Sequence, residues 1–159
     1  MPSLTYPQCI RRLYESEANG ELIYGALLRV AKSERERYHL GTLLQLETET
    51  KAWLQPFLFK HRVELSSPDI RPFVDQAVSL YASHGWRALM QAAQPVVAQA
   101  IADFEAIAAV SPISDSAYTR GMVEHEKAIE AWVASELQGP QEDSLEPIVA
   151  LLRHRLPAP

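Results

Sequence analysis

Apolar residues recur at three- and four-residue intervals along most of this chain, and no sustained alternation breaks that rhythm, so the pattern predicts helices and no sheet. From Leu40 to Leu58 the stripe Leu40, Leu43, Leu54 and Phe57 passes through Glu47 and Thr50. From Cys9 to Ala31 the stripe Ile10, Leu13, Tyr24, Leu28 and Ala31 passes through Glu17. From Arg120 to Leu137 the stripe Met122, Ile129, Val133 and Leu137 passes through Glu126. Three predicted helices therefore each carry one inward carboxylate near mid-length. A buried charge that is neither paired nor metal-bound is costly and tends to change its protonation state, so each Glu requires a partner.

The breakers between the stripes set the boundaries. Thr5 with Pro7 in the first turn opens a helix that reaches Ala31, and its internal Gly20 and Gly25 suggest close approach by a neighbouring helix. Ser33 followed by Glu36 is a capping box, so the second helix starts after almost no loop and is antiparallel to the first. It kinks or ends near Pro56. Ser66, Ser67, Pro68 and Pro72 then interrupt the chain, and a shorter apolar segment from Phe73 to Tyr81 forms a helix inside a long crossover. A third long helix is expected over Trp86–Ala109, bent at Pro95, with Leu89, Ala93, Val97, Ile101 and Phe104 inward. The fourth opens in Ser114–Ser116 and closes at Gly139-Pro140, and a fifth, short helix spans Leu145–Leu156. The expected fold is an all-α bundle of four long helices with one long crossover, forming a single domain over residues 1–159.

A formal charge of −5 and no dense Lys/Arg cluster argue against nucleic-acid binding. The start MPSLTYPQ lacks a basic then apolar leader, and no apolar run approaches the ~18 residues of a membrane span, which leads to the expectation of a soluble cytoplasmic chain. A single cysteine, Cys9, allows no internal disulfide and no CxxC pair. No phosphate loop, nucleophile elbow or Ser-His-Asp set is evident, so no catalytic residue is named.

The residues around the inward carboxylates resemble the ferritin-like superfamily, and within it rubrerythrin and bacterioferritin. Glu17 lies seven residues before Tyr24, similar to the family's first-helix pattern. Glu47-Thr-Glu-Thr50 sits where the family has one Glu-x-x-His, and Glu126-Lys-Ala-Ile129 where it has the second. The resemblance implies a ferritin-like four-helix bundle, metal ligation at Glu17, Glu47, Thr50 and Glu126, and a homodimer, the last helped by the apolar run Val96–Ala109. Both histidine positions are replaced, by Thr50 and Ile129, and where the third helix should supply a carboxylate it has Ala93 and Val97, with Gln91 and Gln94 beside them. Thr and Ile are poor substitutes for imidazole, so a dinuclear centre is not expected.

Three readings stay open. The Glu residues bind one divalent cation (iron, manganese or zinc). They bind none and serve a non-catalytic binding or structural module, protonated or hydrogen-bonded to Tyr24, Thr50 and water. Or they form an atypical carboxylate-only site of a non-haem iron or manganese oxidoreductase. Loss of the third-helix carboxylate also suggests an apolar pocket beside Ala93 and Val97 for a small molecule. His125, about 100° around the helix from Glu126, is expected at a helix interface or the surface, and His39, His61, His84 and His154 lie off the inward stripes.

Overall fold

The computed structural model describes residues 4–66, 69–141 and 143–154. Among them there are helices and no strands: α1 Tyr6–Val30, α2 Glu34–Lys60, α3 Arg71–Ala109, α4 Ser116–Gln138 and a single turn, α5 Glu146–Val149. A 3-10 turn, Ile113–Asp115, leads into α4. Ser67 and Pro68 of the predicted crossover, and the end of the fifth helix at Leu156, lie outside the described residues.

The start signals act as read. Gln8 Oε1 accepts from the Thr5 backbone N–H at 2.7 Å, and Pro7 sits in the first turn of α1. Ser33 Oγ accepts from Glu36 N–H at 3.1 Å while Glu36 accepts from the Ser33 N–H at 3.0 Å, closing the box that starts α2. The turn between α1 and α2 is short, and the two helices pack along each other, as do α3 and α4. α1 also packs on α3, and α5 lies against α4 and α2.

Two boundaries differ from expectation, and a third falls as expected. α2 continues through Pro56 to Lys60, because Pro56 is solvent-exposed and the backbone carbonyl it leaves unpaired is on the wet side. Pro95, where a bend is expected, lies within continuous helix. The expected division between the crossover helix and the long helix from Trp86 falls at Gly85, whose φ of 80° and ψ of −171° belong to a region that side-chain-bearing residues avoid. Gly85 thus divides α3 into a crossover arm, residues 71–84, and a bundle arm, residues 86–109. The last helix is one turn instead of three. Glu49 accepts from the N–H groups of Arg153 and His154 at 2.7 and 3.3 Å, drawing the chain away from helical pairing.

The buried apolar residues form two clusters. One gathers Leu27, Leu40, Leu43, Ile129, Trp132 and Ile148, and the other Ile10, Leu13, Leu54, Phe57, Phe104 and Met122. Each buried Leu or Ile contributes about 1.5–3 kcal/mol through area removed from water. On α1, α2 and α4 the residues between these clusters are Glu17, Glu47, and the pair His125 and Glu126. The core is interrupted by polar groups at mid-height.

At the end beside α5, Glu136 is buried and receives both ends of the Arg35 guanidinium at 2.8 and 2.6 Å and the Trp86 indole N–H at 2.7 Å. His39, expected off the inward face, is buried next to it and accepts from the Trp132 indole N–H at 3.1 Å. At the other end buried Asp115 holds Lys60, the Tyr6 hydroxyl and His61, whose Nε2 is 2.8 Å away. These two networks have their charges compensated. The mid-height group does not.

Candidate metal centre

Glu17 projects from α1, Glu47 from α2 and Glu126 from α4, and the helix packing brings all three together in the interior. Glu17 is completely buried. Among the described residues neither of its oxygens, as a carboxylate, has a hydrogen-bond donor, and a proton on Glu17 would be shared with Glu47. The Glu47 carboxylate lies flat against the backbone of α1 at Gly20, where a Cβ would fall 2.5 and 2.8 Å from its oxygens. Gly20 is therefore required by a side chain, not by a neighbouring backbone, and Gly25 has nothing within 4 Å to require it.

His125 belongs to this group, contrary to its expected place at an interface or surface. It is buried, and its Nε2 lies 3.5 Å from Glu17 Oε2 and 3.6 Å from Glu47 Oε1 without a hydrogen-bond partner. The signal for it was in the sequence. The inward face of α4 comprises Met122, His125, Glu126, Ile129, Trp132 and Val133, two residues abreast on alternate turns. A core-facing stripe is more than ~100° wide, so a residue 100° from Glu126 can still point inward.

Thr50 reaches the same group from α2. Its hydroxyl meets His125 Nδ1 at 3.2 Å, on the far side of the ring from Glu17 and Glu47. With Nδ1–H donated to Thr50, the Nε2 lone pair is left facing the carboxylates, which is the arrangement an outer hydroxyl imposes on a ligating histidine. Ile129 is core, and Gln91 and Gln94 of α3 are exposed. Glu21 pairs with Lys51 at the edge.

The charges in this group are held in a medium that penalises them. Burial, then the charges of Glu47 and Glu126, push the Glu17 carboxyl well above the usual range. Burial also lifts Glu126 to about 7, with Glu47 adding to the rise while His125 and a hydrogen bond from Ser16 oppose it. For His125 burial disfavours the cation, but Glu47 and Glu126 outweigh it and the ring is raised. Tyr24 is pushed well up by burial and by the same three carboxylates. Among the described residues no Lys or Arg pairs with Glu17, Glu47 or Glu126; His125 is the one basic group beside them.

One ligand atom each from Glu17, His125 and Glu126 fall within 4.8 Å of one another. Ligands bound at ~2.0–2.2 Å to one ion stand roughly 3–4.3 Å apart, a range that includes the 3.5 Å between His125 Nε2 and Glu17 Oε2. Carboxylate with imidazole is a donor set that suits iron, manganese and zinc. Searches against protein-family models, curated proteins and solved structures gave no match to this chain. Among the described residues no helix is long and apolar enough to cross a membrane.

Proposed function

We propose that this chain is a ferritin-like bundle that holds a single divalent transition-metal ion between Glu17, Glu126 and His125, with Glu47 at the edge of the site. The observation that carries it is the set of unpartnered buried atoms: both Glu17 oxygens and His125 Nε2, facing one another among carboxylates with no other cation. Leaving a buried polar atom unpaired costs about 1–3 kcal/mol, more when charged, so three in one place point to a ligand that completes them. Two antiparallel helix pairs joined by a long crossover support the ferritin-like reading.

The site is mononuclear on this reading. A second ion would need a second set of ligands, and among the described residues that α3 turns to this face, such as Leu89, Ala93 and Val97, there is no carboxylate or histidine. A bound ion would supply Lewis acidity and open positions to a binding module. Thr50 would hold the imidazole ring, while burial would keep bulk water out. The test is elemental mass spectrometry of protein purified without chelator, beside Glu17→Gln. The expected result is about one equivalent of iron, manganese or zinc, lost in the variant. Metal-free protein that also takes up none would leave the cluster as a protonated network that fixes helix register.

A further inference from the structure

Between α1 and both arms of α3 lies a cavity of about 560 Å³, within the ~300–1,000 Å³ range of small-molecule sites. It exists because the facing residues are small: Ala77, Ala93 and Ala100 of α3 stand opposite Gly20, and no larger side chain fills the space. Its walls are apolar, among them Leu27, Leu89 and Val97. Phe73 and Val96, about half exposed, stand at the mouth. At the inner end are the carboxylates of Glu47 and Glu126, and among the described lining residues there is no Lys, Arg or His. Apolar pockets beside Ala93 and Val97 were foreseeable from the sequence; the acidic floor was not.

We propose that this cavity binds an amine-bearing hydrocarbon, its body on the apolar walls and its single ammonium group on Glu47. The proposal rests on the metal reading in one respect, the charge count. A divalent ion at Glu17, Glu126 and His125 offsets two of the three carboxylates and leaves Glu47 as the one without a compensating cation. With or without the ion, no described lining residue is cationic, and a monocation is the complement of Glu47. An anionic amphiphile would bring like charge to a floor with no cationic side chain, and an uncharged one would leave Glu47 without a counter-ion.

The test is displacement of a neutral fluorescent dye, Nile red, by decylammonium, decanol and decanoate below their micelle concentrations, on chelator-treated and on manganese-loaded protein. Decylammonium should displace the dye at a concentration about tenfold or more below that of decanol, with decanoate weakest, in both forms. Glu47→Gln should equalise amine and alcohol while the dye still binds. Ala93→Trp should abolish dye binding by filling the cavity; Val96→Trp, at the exposed mouth, serves the same purpose if the first variant loses its helical circular dichroism. Equal displacement by amine and alcohol, a preference for decanoate, no dye binding to folded protein, or an unchanged amine preference in Glu47→Gln would each overturn the proposal. Amine preference without metal uptake would sink the metal reading alone, and metal uptake without amine preference would sink this one alone.

Discussion

Replacing Gly20 and Gly25 by alanine, one at a time, separates two forces that act on the same helix. In a helix interior Gly→Ala removes backbone freedom from the unfolded chain and favours folding by about 0.4–1 kcal/mol. At Gly25 nothing lies within 4 Å of the new Cβ, so that gain should be realised in full. At Gly20 the Cβ would fall 2.5 and 2.8 Å from the Glu47 oxygens, well inside van der Waals contact. Glu47 must then leave its seat; its carboxylate is the end of a flexible side chain beside the α1–α3 cavity, so the penalty falls toward the low end of the range of about 1–3 kcal/mol that over-packing costs. The propensity gain is common to both variants, so Gly20→Ala should be less stable than Gly25→Ala by the penalty, roughly 1–3 kcal/mol. Urea denaturation of both metal-free variants at pH 7 reads this directly from the midpoints, provided the slopes match. Equal stabilisation by both substitutions would refute the claim that Gly20 exists to seat Glu47.

Other consequences follow from the same geometry. Thr50→Val should weaken metal binding about 10–100-fold with the fold intact while Thr50→Ser restores it, measured by competition with a chromogenic chelator; equal affinity in all three would remove Thr50 from its positioning role. Arg35→Ala leaves buried Glu136 without its bidentate partner and should cost about 2–4 kcal/mol in denaturant midpoint, the range reduced because Arg35 is itself about one-third exposed. His39, lowered to about 4 by burial and by neighbouring Arg35 against the pull of Glu136, is neutral when folded. Its stabilising contribution is therefore complete above the unfolded value near 6.5 and is lost as pH falls toward 4, by at most about 3 kcal/mol. The stability difference between wild type and His39→Gln, followed by denaturation at several pH values, should shrink across that window; a constant difference would contradict it.

The helices and the inward carboxylates were legible because periodicity reports directly on which face is buried. Glu17, Glu47 and Glu126 each occupy a position where the stripe demands an apolar residue, and all three are buried together. What periodicity could not give was the breadth of the face. His125 and His39 were set aside as off the stripe, yet α4 is enclosed on enough sides to bury Met122, His125, Glu126 and Ile129 alike, and His39 finds Trp132 across the bundle. Thr50 was read by its position in a motif, whereas its partner comes from another helix. Such pairings between helices depend on relative rotation and height, which one-dimensional spacing does not carry. The division at Gly85 was legible, since the crossover segment and the helix from Trp86 were read as separate; Pro95 illustrates the limit, because proline on an exposed helix face is tolerated within continuous helix.

The most direct test of the account is whether one ion binds with a nitrogen ligand. Electron spin-echo spectroscopy of the protein titrated with Mn(II), alongside His125→Gln, measures stoichiometry and nitrogen coordination together. The account predicts one bound manganese with a single histidine nitrogen modulation that disappears in the variant. Two magnetically coupled ions, a bound ion without nitrogen modulation, or no binding at all would contradict it.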